Sequence, residues 1–224
     1  MVVADVVVEG GQETVRLIQA AGGEGLFVKT DVSRAAEVEA LIKQTLATYG
    51  RLDCAHNNAG VEGTFVSTTE YTEADWDRVL AINLKGVWLC LKYEIQQMLK
   101  QGGGTIVNMS SVAGLMGAAG AATYCASKHG VIGLTRAAAL ETASKGIRVN
   151  AICPAVIETA MADRAFGDPE VQKRVLAQHP VGRFGKGTEV AEGVLFLCSS
   201  ASSFMTGHYL VLDGGMLAGI NPNA

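Results

Sequence analysis

"GTIVNMSS", residues 104–111, followed shortly by "ATYCASKHG", residues 122–130, is an apolar run that ends in hydroxyls and gives way to a helical pattern. An apolar run of this length, bounded by glycine and serine, reads as a strand buried on both faces. Its helical sequel makes it half of a β-α-β unit. The same alternation extends in both directions. "VVAD" from 2, "GLFVKTD" from 25, "RLDCAHNNAG" from 51, "GIRVNAICP" from 146 and "HYLVLDGG" from 208 are the other strand candidates. Between them Val38, Leu41, Ile42 and Leu46 recur at helical spacing, as do Trp76, Val79, Leu80, Leu84, Val87, Trp88 and Leu91. Thr72 with Asp75 three positions on resembles a capping box, glycines at 102–104 close the connection after that helix, and the next helix is predicted over about 123–143. The fold predicted is α/β, a doubly wound parallel sheet of Rossmann type. Nothing divides the 224 residues, so one domain spans 1–224. Residues 155–187, without a clear strand, read as a long loop or lid within it.

Composition narrows the function classes. Apolar residues make up 49% of the chain, enough for a substantial core. A net charge of -4 with no Lys/Arg cluster argues against nucleic acid as a partner. The five cysteines are scattered without a C-x-x-C, which fits a reducing, cytoplasmic setting. His56, His129, His179 and His208 lack ligand spacing, so no metal is inferred. The opening "MVVADVVVEG" is interrupted by Asp5 and Glu9 and is far shorter than the roughly 20 residues of a membrane span, so neither signal peptide nor membrane anchor is expected.

The chemistry concentrates around the stretch quoted first. Helix positions i and i+4 share a face, so Tyr124 and Lys128 are expected side by side. Lowering a tyrosine by about three pKa units takes roughly 4 kcal/mol, within reach of one partly buried lysine plus a second positive group, and a phenol so poised is a competent general acid or base. Such pairs also occur by chance on ordinary helices, so the weight comes from company. Ser111, at the end of its strand, can offer a hydroxyl to the same substrate oxygen, whereas Ser110 alternates to the other face. Asn83 falls on the apolar stripe of its helix, where a buried amide needs partners.

"HNNAG" at 56–60, Asn83, Ser111, "YCASK" at 124–128 and "ICPAVIETAM" from 152 together resemble the short-chain dehydrogenase/reductase family. The likeness continues through "TDVS" at 30–33, "PVGRFGKGTEVAEGVLFLCSSASSFMTG" from 180 and "LDGG" at 212–215, in order and over nearly the whole chain. The resemblance implies a nicotinamide-dependent oxidoreductase interconverting a secondary alcohol and a ketone. Tyr124 would be its acid/base and Ser111 would orient the substrate oxygen. Lys128 would lower the tyrosine pKa and hold the nicotinamide ribose, and Asn83 would position a water in the proton path. It further implies that Asp5 meets the adenosine ribose, where a carboxylate accepts from the 2′-hydroxyl and repels a 2′-phosphate, so NAD is expected over NADP. Asp31 and Val32 would contact adenine, Asn57, Ala59 and Gly60 would line the strand beside the cofactor, and Ile157 and Thr159 would meet the carboxamide and phosphates. A small uncharged substrate is expected from the apolar "VAGLMGAAGAA" at 112–122. A homotetramer or homodimer is expected through the two long helices that begin near Glu73 and Thr123.

Two departures qualify the resemblance. Ala155 stands where the family has glycine after Pro154. More seriously, the acidic residue is expected about 20 positions after a G-x-G-x-x-G turn, yet only four residues precede Asp5 and no such turn occurs elsewhere; "GRFGKG" at 182–187 has reversed spacing. The chain is therefore expected to lack the family's first strand and glycine-rich turn, to be a truncated version of a longer enzyme, and to fold poorly alone, because two sheet edges would stand unpaired. The opposed expectation for its activity is a non-catalytic fragment or scaffold acting through subunit contacts.

Overall fold

The computed structural model describes residues 1–219, and within them the alternation resolves into six strands and eight α-helices. In chain order these are β1 (Val2–Asp5), α1 (Val8–Ala20), β2 (Leu26–Lys29), α2 (Ala35–Tyr49), β3 (Cys54–Asn57), α3 (Glu73–Leu80), α4 (Gly86–Gln101), β4 (Gly104–Met109), α5 (Ala122–Thr142), β5 (Ile147–Pro154), α6 (Ala160–Phe166), α7 (Pro169–Leu176), α8 (Gly187–Cys198) and β6 (Tyr209–Leu212). All strand pairs are parallel.

The core sits on both faces of β4 and β5, as period-2 alternation requires. Ile106, Ile147 and Val149 pack with Val87, Leu91 and Met98 of α4 and Val131 and Ala138 of α5. Val107 and Ile152 face the other way, onto Val190 and Leu197 of α8. Burying both faces leaves no solvated side, which is why these strands read as continuous apolar runs.

The expectation that the first strand is missing is not supported: the chain opens on a strand at Val2, with β1 laddered to β2 from Val2↔Leu26 to Asp5↔Lys29. The sheet is nevertheless interrupted. Strand order is β1-β2 in one sheet and β3-β4-β5-β6 in the other, and among the described residues no ladder joins β1 to β3. The two parts are held together through helices instead. Val32, just after β2, packs with Val38 of α2 onto Leu89 and Cys90 of α4, and Gly86 permits the approach, since a Cβ there would lie 2.8 Å from the Val32 methyl.

Two helical readings change. The stripe from Trp76 to Leu91 does not form one α-helix. A π-helical turn, Ala81–Lys85, interrupts it at Asn83, while Thr72 does cap α3, accepting from Asp75 N–H at 3.1 Å. Residues 155–187 are not a plain loop. They hold α6, capped by Thr159, and α7, whose N-cap Asp168 accepts from Glu170 and Val171 N–H, and a single bridge pairs Ile157 with Gly185. The caps are local side-chain signals that hydrophobic periodicity does not register.

Candidate active site

In a parallel sheet all carboxyl ends lie along one edge, and the sequence-derived candidates collect there. Ser111 follows β4 in extended conformation, φ -169° and ψ 165°, and caps a short 3-10 turn over Val112–Gly114. Its Oγ accepts from Ala113 N–H at 3.1 Å and donates to the Pro154 carbonyl at 3.4 Å, so the ends of β4 and β5 fix it from two sides. Gly114 allows the turn to lie on α5, because a Cβ there would meet the Lys128 carbonyl at 2.8 Å. Ser110 faces inward and is buried, with its hydroxyl donating to that same carbonyl at 2.9 Å.

Tyr124 and Lys128 occupy the first turns of α5, as their spacing requires. The Lys128 ammonium lies 5.5 Å from the Tyr124 ring centroid and donates to the Met109 carbonyl at 2.9 Å. Lys128 is 3% exposed, and burial lowers its pKa to about 8, against the attraction of Cys153. Part of the Tyr124 side chain reaches solvent, but its hydroxyl is enclosed. Burial raises its pKa, the nearby Ser111 hydroxyl opposes this, and Cys125 and the Glu62 carboxylate add to it. The expected lowering of the phenol by Lys128 is therefore not the balance found. The ammonium is tethered to Met109 beneath the ring rather than at the hydroxyl, and the cost of enclosing a phenolate outweighs it.

Asn83 is fully buried in the π turn. Its Oδ1 accepts from Val61 N–H at 2.8 Å, and its Nδ2 donates to the Val61 carbonyl at 2.8 Å and to Ser127 Oγ at 3.2 Å. The side chain thus straps the loop after β3 to α5. Gly60 lies against it, where a Cβ would stand 3.3 Å from Asn83 Oδ1 and 3.6 Å from Lys128 Nζ; Ala59 precedes it in the same loop. Asn57, expected beside the cofactor, points into the protein. Its Nδ2 donates to Glu94 at 3.0 Å and to Asn108 at 2.9 Å, and Asn108 donates on to Thr135.

Asp5 ends β1 exposed, with one oxygen accepting from Val7 N–H at 2.9 Å. Asp31, one turn past β2, spends Oδ1 on the Ser33 N–H and hydroxyl, the bond that leads in lowering its pKa, and Val32 is committed to packing on α4. Ile157 packs toward the core under α8, and Thr159 caps α6 beside a cavity lined in part by Glu158, Asp163, Phe166 and Phe184. The structure thus brings Ser111, Tyr124, Lys128, Asn83 and Gly60 together. Asn57, Val32 and Ile157 turn inward.

Sequence reasoning missed two groups. Glu94 lies 5% exposed in the apolar stripe of α4, with its pKa raised to about 7 by burial against the Asn57 bond; an acid among Cys90, Leu91 and Met98 was the available signal. Glu62 pairs with Arg164, 102 residues away, which no local pattern announces.

A family model described as enoyl-(acyl carrier protein) reductase matches residues 1–217. An uncharacterized oxidoreductase of Thermotoga maritima is 41% identical over 218 residues, covering 96% of this chain and 86% of that protein. Cyclohexanol dehydrogenase of an Acinetobacter sp. is 42% identical over 214 residues, covering 96% and 83%. The crystal structure of levodione reductase superposes with a TM-score of 0.94 at 37% identity, covering 98% of this chain and 88% of that one. NAD+-bound xylitol dehydrogenase (TM-score 0.93, 33% identity, 96% and 88% covered) and ElxO with NADP bound (0.90, 33%, 97% and 88%) are also similar.

Proposed function

The chain belongs to the short-chain dehydrogenase/reductase family, oxidoreductases that use nicotinamide cofactors, and from that premise we propose that it interconverts an uncharged secondary alcohol and its ketone with NAD. The carrying observation is that Ser111, at the carboxyl end of β4, lies near enough to Tyr124 for its hydroxyl to favour the phenolate, with the buried Lys128 ammonium beside the tyrosine ring. Cyclohexanol dehydrogenase, by its name, acts on a small alicyclic alcohol, and levodione reductase, by its name, reduces a dione, which supports the substrate class.

The residues present fit the cofactor at both ends. The Lys128 ammonium has three N–H donors and, among the described residues, one hydrogen-bond acceptor, Met109, which leaves donors suited to ribose hydroxyls. Asp5, exposed at the end of β1, suits a ribose 2′-hydroxyl and disfavours a 2′-phosphate, which supports NAD over NADP. Asp31 and Thr159 flank the same edge, while no G-x-G-x-x-G serves the pyrophosphate. When bound, the nicotinamide supplies or accepts the hydride. The chain's own work concerns the proton. Ser111 donates a hydrogen bond to the substrate oxygen. Tyr124, whose raised pKa keeps it protonated at neutral pH, gives its proton to that oxygen during ketone reduction; alcohol oxidation needs the phenolate and gains from alkaline pH. Lys128 favours the phenolate when it forms. Residues 155–187 act as the lid, the setting is cytoplasmic, and subunits assemble through α4 and α5.

The interrupted sheet favours a second reading, a non-catalytic scaffold acting through subunit contacts. Titration with NADH and NADPH, followed by cyclohexanol oxidation read at 340 nm, separates them. A fluorescence change with NADH at lower concentration than with NADPH, and turnover, is the expected result. No response to either at millimolar concentration would leave the scaffold.

A further inference from the structure

The two sides of the cleft are anchored very differently. α6 and α7 contain no fully buried side chain. The facing rim, residues 60–66, is tied to the body. Val61 is held by both ends of the Asn83 amide, Thr64 N–H donates to Asp75 at 3.0 Å, and Gly63 at φ 74° is pressed so close to Val79 that a Cβ would lie 2.8 Å from its methyl.

Two contacts cross between them. Arg164 forks onto Glu62, Nε to Oε1 at 2.7 Å and Nη2 to Oε2 at 3.3 Å, and the Phe166 ring meets Phe65 at 6.0 Å between centroids. The Glu62 side chain is 20% exposed against 61% for Arg164, so the carboxylate is the enclosed half of the pair and the guanidinium the solvated half. A bidentate pair fixes direction as well as distance, and the ring contact adds an apolar seal beside it.

We propose that Glu62 and Phe65 form the fixed half of a latch, with Arg164 and Phe166 the moving half, that holds α6 closed over the Ser111–Tyr124 cleft. Glu62 is a positioning residue: it touches no reacting atom and acts by keeping the lid shut on the substrate. The inference rests on the reading of that cleft as the reacting centre, and the latch also does a second job there. Glu62 is near enough for its negative charge to oppose the Tyr124 phenolate, and Arg164 and Arg78 are the cations facing it. Shutting the latch sets the Arg164 charge against that carboxylate, which favours the phenolate that ketone reduction leaves.

The test uses Glu62→Gln, Arg164→Met and the double variant in the full chain, with thermolysin cleavage as a readout independent of turnover. Each single variant is expected to speed cutting within residues 160–176, located by mass, roughly two- to five-fold, the range a partly exposed ion pair allows. The double variant is expected to be no faster than either single, because the second change has nothing left to break. In turnover, KM should rise by a similar factor in each single variant, and kcat for ketone reduction should fall in Arg164→Met, which leaves the carboxylate bare, but not in Glu62→Gln. Cleavage at the unsubstituted rate in both singles, or effects that multiply in the double, would overturn the latch. Altered cleavage in a chain that never reduces a ketone would sink the catalytic reading and leave the latch standing.

Discussion

At the scale of single residues the site depends on a conflict between burial and charge. Lys128 is 3% exposed, and its pKa is lowered to about 8 by burial, so the fold carries a cation in a place that prefers the neutral amine. For a base lowered in the folded state, the penalty is largest below pH 8 and disappears once the unfolded chain also loses its proton, above its ordinary value near 10.5. Lys128→Met should therefore stabilise the protein at pH 7 by up to about 3 kcal/mol, less about 1 kcal/mol for the orphaned Met109 carbonyl, and abolish turnover. Urea midpoints and NADH-linked activity measured together check this; a destabilised variant would show that the amine is needed for the fold. Tyr124→Phe removes the transferable proton while keeping the ring and its packing. Turnover should fall at least a hundredfold with NADH affinity within about two-fold of the unsubstituted chain. Activity near that of the unsubstituted chain would take the role from Tyr124. The i, i+4 spacing made the pair legible. That the lysine would bind Met109 beneath the ring was not legible, because that acceptor comes from another element.

At the scale of elements, α4 carries a feature of its own. Its buried stripe includes Glu94, whose carboxylate receives a hydrogen bond from Asn57 of β3 and whose pKa stands at about 7 instead of 4.5. An acid raised in this way costs nothing while protonated. Stability is full below about pH 4.5, declines as pH rises toward 7, and is then lower by about 3 kcal/mol. Glu94→Gln keeps an acceptor for Asn57 and removes the charge, so its unfolding free energy should exceed that of the unsubstituted protein at pH 8 and match it near pH 4.5. Parallel urea titrations at the two pH values decide it; an equal difference at both would exonerate the carboxylate. The stripe and the Thr72 cap were both readable in sequence, since each is a pattern between near neighbours. The π turn at Asn83 was not: the extra residue turns the helix beyond it by roughly 100°, so Trp88 of the expected stripe stands exposed while Leu89 and Cys90 are buried, and the spacing of apolar residues does not announce it.

At the scale of the whole molecule, the exposed apolar residues and the seam decide what the chain needs. Leu140 on α5 is 86% exposed and Trp88 on α4 is 46% exposed, large apolar groups on the two helices named for assembly. A tetramer or dimer should appear by light scattering, and Trp88→Glu with Leu140→Glu should reduce it to monomer while preserving the far-ultraviolet dichroism. A monomer at micromolar concentration in the unsubstituted protein would exclude that surface.

The sequence by itself determined the parallel α/β alternation, all six strands, the position of α5, and the likeness that gathers Ser111, Tyr124, Lys128 and Asn83, because periodicity, caps and turn residues are interactions within a few positions of the chain. The unpaired edges at β1 and β3 were also expected from the sequence, whereas the tertiary structure alone decided two further points: the inward turn of Asn57 toward Glu94, and the meeting of Glu62 with Arg164. Each depends on where elements far apart in sequence pack, and packing is governed by shape and desolvation summed over the whole core, which no short window of residues contains.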